Sequence, residues 1–300
     1  MKCEIKYQDK TDKALDFCLE RLPLDITEKI KEHLKASPYK AINEIRLHKN
    51  SYISLIADSK NVKTSIYLTN DDIKRVYEAL CDMSIYAHIS TIKQGYICIG
   101  NGIRAGICGK AIIENNEIIA VDDISSINIR IPQSIVNASS FLYKILNDNS
   151  FNCSIILYSS PGVGKTTILR DLISKISKNS IRYAVIDTKN ELSAFIENYE
   201  NGDFFSLYPK GMAIELATKN MTPQIIICDE ISSQNEADEI ILSVNSGVNL
   251  IATTHANSFD ELLSKKIFKE LLSSNIFKYA IGVKRDYGKS SYQFTLNELK

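Results

Sequence analysis

Residues 158–167 read YSSPGVGKTT, directly after the run SIIL and directly before ILRDLISKIS. The first run has the texture of a buried strand, and Ile168, Leu169, Leu172, Ile173 and Ile176 recur at helical spacing, so the quoted residues join a strand to a helix. Gly162 and Gly164 allow the backbone to curl until successive amides from Gly162 to Thr167 face an anion. The helix start adds roughly half a positive charge at the same place. Pro161, Gly162, Val163, Gly164, Lys165, Thr166 and Thr167 are therefore the candidate phosphate cradle. Lys165 has the reach for β- and γ-phosphates, and the Thr166 hydroxyl suits a Mg²⁺ shell. Ser159 stands where the pattern G-x-x-x-x-G-K-[ST] has its first glycine; it begins the turn, so the loop should tolerate it.

Three further strand ends bring chemistry to the same sheet. QIIICDE places Asp229 and Glu230 at an apolar strand's tip, 64 residues after Lys165. Asp229 suits the metal side, through water, and Glu230 the role of base for an attacking water, a pairing that favours ATP hydrolysis over phosphoryl transfer to another substrate. YAVIDTKNELSAF ends a strand in Asp187, with Glu191 four residues on, close enough on one helical turn to position water or metal near the γ-phosphate. The alternative to that reading is a capping aspartate with a solvated glutamate. VNLIATTHAN ends in Thr253, Thr254 and His255, and His255 is a candidate γ-phosphate sensor because ligands bind at the carboxyl ends of parallel strands.

Composition narrows the function classes. The 36 basic side chains match the 36 acidic ones, and the balance holds in both halves, so no lobe carries the positive field that nucleic-acid binding needs. No nucleic-acid partner is expected. The seven cysteines show no C-x-x-C pair, and the several inside apolar runs read as small buried hydrophobes, which points to a reducing cytoplasmic interior. Neither a signal segment nor an 18-residue apolar run is seen, so attachment to a membrane would be peripheral, through a partner protein.

The texture divides the chain into residues 1–133, a linker helix over 134–150, and residues 151–300. In the first part, residues 13–36 read as two helices broken near Pro23, residues 41–57 as strands, and LTNDDIKRVYEALCD as a helix capped by Thr69. From Gly95 to Ile131 the pattern is an antiparallel meander with turns at Asn101-Gly102 and Asn115-Asn116. Alternation there puts Ile127, Ile129 and Ile131 on one face, with Asn128 and Arg130 on the other. The last part alternates buried strands with helices, which is the α/β pattern of a parallel sheet.

The order of phosphate loop, acidic segment at Asp187, "DE" strand and SGVNLIATTHAN resembles the secretion-type traffic ATPases, with Gly247, Thr253, His255 and Asn257 at matching positions. SSPGVGKTTILRD, MTPQIIICDEIS, EIRLH, NGIRAGICG and INIRIP are similar, closer still, to the stage III sporulation AA family of endospore-forming bacteria. The resemblance implies a RecA-like ATPase domain with a mostly parallel sheet, preceded by a smaller α+β domain with an antiparallel sheet. It also implies a homo-oligomer, a hexameric ring, working on the integral membrane proteins of a secretion-like channel between mother cell and forespore. Arg104 and Arg130, with Arg46 a weaker third, become candidates to approach the phosphates as the domains close. Lys189 and Lys219 stand where the family carries arginines, which keeps charge but loses bidentate geometry. Two alternatives share the core: a nucleotide-binding switch or scaffold without turnover, and a nucleic-acid-dependent RecA-like ATPase.

Overall fold

The computed structural model describes residues 2–299 apart from 5, 8, 9, 38, 40, 59, 102, 133, 134, 194–199, 245, 246 and 287–290. The chain forms two compact units, one of Met1–Tyr7 with Ile135–Lys300, the other of Gln8–Ser134. Two short strands, β1 (Lys2–Glu4) and β2 (Lys6–Tyr7), therefore go with the later part of the chain rather than with the residues that follow them.

Within residues 8–134, α1 (Lys10–Leu19) and α2 (Leu24–Ala36) are separated at Pro23. Three antiparallel strands follow, β3 (Ile42–His48), β4 (Ser51–Ala57) and β5 (Lys60–Leu68), the last not foreseen in the sequence. Next, α3 (Asn70–Leu80) starts at a complete capping box: the Asp72 amide donates to Thr69 Oγ1 while the Asp72 carboxylate accepts from the Thr69 amide. Its buried side chains are Ile73, Val76, Tyr77 and Leu80, the stripe read from the sequence. After the short α4 (Ile89–Ile92) come β6 (Tyr96–Cys98), β7 (Arg104–Glu114) and β8 (Glu117–Arg130), completing a sheet of order β5-β4-β3-β8-β7-β6. The β7–β8 turn has Asn115 and Asn116 both at positive φ, as a primed turn requires. Asn101 is also at positive φ, while its turn partner Gly102 lies outside the described residues. Ile45, Leu47, Ile127, Ile129 and Ala105 are buried on one face, while Arg130 on the other is exposed.

The unit containing residues 135–300 opens on β9 (Ile135–Val136), which pairs antiparallel with β2. The expected helix over 134–150 is thus shorter: α5 spans Ser140–Asp148. The reason is local, because Asn137 takes a positive φ and the Asp171 carboxylate accepts from the amides of Asn137 and Ser139. Then follow β10 (Ile155–Ser159), α6 (Lys165–Ile176), β11 (Tyr183–Asp187), β12 (Gly202–Ser206), α7 (Lys210–Leu216), β13 (Ile225–Glu230), α8 (Gln234–Val244), β14 (Asn249–His255), α9 (Phe259–Ser264), α10 (Lys266–Ser273), β15 (Tyr279–Asp286) and β16 (Ser291–Glu298). The sheet runs β1-β16-β15-β10-β14-β13-β11-β12, parallel from β15 to β12, with β16 and β1 antiparallel at the other edge.

Alternation along these strands fills two cores. Ile155, Leu157, Tyr183, Val185, Ile225, Ile227 and Ile251 pack with Leu142 of α5 and Ile168, Leu172 and Ile176 of α6. Ile156, Ala184, Ile186, Ile226, Cys228, Leu250 and Ala252 pack with Ala213 and Ile214 of α7, Ala237 and Ile240 of α8, Leu262 of α9, and Phe268 and Leu271 of α10. A sheet covered on both faces must have near-continuous apolar strands, which explains why these segments do not alternate with polar residues. Such strands can present functional side chains only at their ends. Among the described residues, no helix is long and apolar enough to cross a membrane.

Candidate active site

The carboxyl ends of β10, β11, β13 and β14 surround a cavity of about 330 Å³, lined among others by Gly162, Gly164, Lys165, Thr166, Thr167, Lys189, Glu191, Asp229, Glu230 and His255. On one side the loop after β10 turns through Gly162 (φ 77°) and Gly164 (φ 112°), conformations that side chains rarely adopt. A Cβ at Gly164 would also strike the Tyr292 hydroxyl, so this glycine is fixed by contact as well as by conformation. Lys165, the first residue of α6, is 7% exposed. Its Nζ lies 2.8 Å from His255 Nδ1 and donates to the Ser159 carbonyl and hydroxyl at 3.4 and 3.3 Å. Ser159, in the first glycine's place, therefore holds the lysine. Burial lowers the Lys165 pKa from 10.5 to about 8; Glu230 opposes the shift, and Lys189 and Lys265 add to it.

Across the cavity, β13 and β14 run in step from Ile225↔Asn249 to Ile227↔Ile251 and then slip, so that Glu230 lies against Thr253. One extra residue on β13 is a β-bulge, a device that re-aims side chains. An unbroken strand would send Asp229 and Glu230 to opposite faces; here both line the cavity. Glu230 Oε1 accepts from His255 Nε2 at 2.9 Å, and Oε2 lies 3.8 Å from Lys189 Nζ. Because the Lys165 ammonium can only donate, His255 Nδ1 accepts from it and Nε2 carries the proton toward Glu230. The ring thus joins the cradle's lysine to the acidic tip.

Asp187 has another occupation than the expected positioning of water or metal. It is fully buried, does not line the cavity, and accepts from the amides of Glu191 (2.7 Å), Leu192 (2.8 Å) and Ser193 (3.0 Å) and from the Ser193 hydroxyl. With its lone pairs spent on the loop, it acts as the turn's anchor. That anchor, with Arg170 Nε donating to the Glu191 carbonyl at 2.8 Å, sets Glu191 at the cavity wall.

Sequence reading missed Lys210 and Thr188. The Lys210 side chain is 1% exposed, with Nζ 2.9 Å from Asp229 Oδ1 and 3.0 Å from Glu236 Oε1, and it donates to the Glu230 carbonyl. Thr188 donates its hydroxyl to Asp229 Oδ2. Burial works against the Lys210 charge, but Cys228, Asp229 and Glu236 outweigh it and raise its pKa. No local motif announces these contacts, since the partners lie on separate elements.

Arg104 and Arg130 belong to the other unit. Arg104 at the start of β7 stacks its guanidinium 4.6 Å from the Tyr96 ring centre, and Arg130 at the end of β8 is 78% exposed with Nε 3.7 Å from Glu44. Arg46 is within 3.7 Å of the same carboxylate.

The residues present fit a magnesium nucleotide. The positive-φ glycines open backbone toward the cavity, and a partly desolvated lysine faces it, held by the neutral groups of Ser159 and the His255 ring. Thr166 and Asp229 bring one hydroxyl and one carboxylate to the cavity, the sparse protein oxygen set with which Mg²⁺ is held beside phosphates and water.

A parallel sheet with its phosphate loop at a central strand's end defines the P-loop NTPase fold. Solved structures of that class superpose on the chain: the Legionella pneumophila ATPase DotB, with a TM-score of 0.63 and 13% identity over 93% of this chain and 82% of that one. The pilus retraction motor PilT with bound ADP gives a TM-score of 0.63 and 15% identity, covering 91% and 82%. These likenesses concern the fold. The Stage III sporulation protein AA of Bacillus subtilis (strain 168) is 28% identical over 239 residues, 76% of this chain and 78% of the relative. The model of the family described as Sporulation stage III, protein AA matches residues 20–293, and the chain belongs to that family.

Proposed function

We propose that the chain is an ATP-hydrolysing motor of a secretion-like membrane channel formed in sporulation. One observation carries the reading: the phosphate loop and the bulged acidic tip share one cavity, bridged by His255 between Lys165 and Glu230. Bound Mg²⁺ would supply charge neutralisation at the phosphates. Amides from Gly162 to Thr167 and the Lys165 ammonium would hold the phosphates, Thr166 and Asp229 would hold the metal side, and Glu230 would take the proton of an attacking water. His255, released by Lys165 when phosphate arrives, keeps a donor on Glu230 and reports the γ-position. Glu191 stands on the wall where it can orient water. Arg104 and Arg130 would add positive charge on domain closure.

The neighbours' description as an ATPase and as a pilus retraction motor supports a mechanical use of the energy. We extend the proposal to a hexameric ring, held at the cytoplasmic face of a membrane by integral proteins of the channel. Steady-state phosphate release decides the chemistry. Wild type should turn over, Glu230→Gln should bind ATP and lose about 10²- to 10⁴-fold in rate, and Lys165→Ala should lose nucleotide binding. A wild type no faster than Glu230→Gln, even as an oligomer with its membrane partner, would leave a nucleotide-binding switch instead of a motor. Stimulation by DNA or RNA would point to a nucleic-acid-dependent ATPase.

A further inference from the structure

We propose that Lys210 is a positioning residue for the acidic strand tip: a buried cation that aims Asp229 and Glu230 into the nucleotide cavity. The inference rests on the magnesium-nucleotide reading of the cavity. Lys210 does not line that cavity, yet its three contacts all end on the strand tip or on Glu236 just beyond it. Nζ is 2.9 Å from Asp229 Oδ1, donates to the Glu230 main-chain carbonyl, and is 3.0 Å from Glu236 Oε1. Glu236 in turn accepts from the amides of Ser232 (2.7 Å) and Ser233 (3.1 Å), the turn directly after Glu230. One ammonium group therefore ties the bulge residue, the next carbonyl and the adjoining turn to the first residue of α7.

The physical need is visible in the bulge. A bulged residue has lost its regular ladder partner, so its direction must be fixed by something else. A buried cation in contact with three oxygens does this strongly, because two of the contacts are ion pairs and the third a charge-assisted hydrogen bond, all in a poorly solvated place. The lysine is itself held in position. Pro209 precedes it at the helix start, and the Gly211 amide donates to Glu239 Oε2 at 3.0 Å. A Cβ at Gly211 would run into the Glu239 side chain, so α7 approaches α8 there as closely as glycine permits.

The test compares wild type, Lys210→Met and the double variant Lys210→Met/Glu236→Gln, which removes both charges of a buried pair and protects the fold. ATPγS affinity is measured in EDTA and in Mg²⁺, and phosphate release gives kcat and KM. Both variants should match wild type in EDTA, lose the extra affinity that Mg²⁺ confers, and drop on the order of 10- to 100-fold in kcat, with KM for Mg·ATP raised by no more than that lost increment. Wild-type kcat and an intact Mg²⁺ increment in the double variant would overturn the proposal, since Lys210 would then only neutralise Glu236. If the single variant fails to fold, the double variant decides alone, and a double variant that also fails to fold assigns Lys210 to the fold rather than the tip. Should wild type bind Mg·ATPγS but release no phosphate, the hydrolytic reading falls while the Mg²⁺ increment still judges Lys210.

Discussion

Lys165 makes the cavity's chemistry measurable at the scale of one residue. Its pKa, lowered from 10.5 to about 8 by burial, means that the free protein has begun to release this proton at mildly alkaline pH. Phosphate favours the charged form, so nucleotide binding near pH 8 should take up a proton, and affinity should be full below about 8 and weaken above it. Folding follows the opposite sign. Between about 8 and 10.5 the unfolded chain holds more proton than the folded one, so the free protein gains stability with rising pH across that window. Calorimetry in buffers of different ionisation enthalpy reads the uptake directly; a flat affinity with no proton exchange through this range would remove Lys165 from the phosphate site. The cradle itself was legible in the sequence because its geometry is local: two glycines, a lysine and a hydroxyl within one turn. Lys210 was not, because Asp229 and Glu236 reach it from β13 and α8, and nothing in the residues around it records that meeting.

At the scale of elements, strands and amphipathic helices could be read from period and caps, whereas departures from regularity could not. The bulge in β13 turns a pair of neighbouring carboxylates into a pair sharing one side, and the run IIICDE looks the same with or without it. The segment after β11 is a second case. Glu191 lies four positions after Asp187, which suits one helical turn, but the chain there is a loop folded around the Asp187 carboxylate. If Asp187 is that loop's anchor, Asp187→Ala should unfold at lower denaturant, by about 1–3 kcal/mol for amides left buried without an acceptor. Thr188 and Glu191 would lose their placement, so turnover should fall while ADP binding at the phosphate loop persists. Chemical denaturation of the variant checks this. Unchanged stability together with lost turnover would instead return Asp187 to direct work on water or metal.

The whole molecule is threaded in a way that composition does not reveal. The chain begins in the sheet that carries the cavity, leaves it after β2, forms the unit of residues 8–134, and returns at β9, which pairs with β2. The strands Lys2–Glu4 and Lys6–Tyr7 are thus structural members of the unit that carries the cavity. Lys2, Cys3 and Glu4 pair with Gln293, Tyr292 and Ser291 on β16, covering an edge that would otherwise expose its ladder. The same β16 residue, Tyr292, is fully buried and lies against Gly164 of the phosphate loop. Loss of β1 should therefore be felt at the cavity, although the two are far apart in sequence. A chain starting at residue 8 should lose the hydrogen bonds of β1 and β2, roughly 0.5–1.5 kcal/mol each. Hydrogen exchange should quicken at residues 291–293 and 135–136 while β3 to β8 keep their protection, and ADP affinity should decline. Unchanged exchange on β16 with undiminished affinity would show that the first strand is an ornament of the edge and that Tyr292 supports the loop without it.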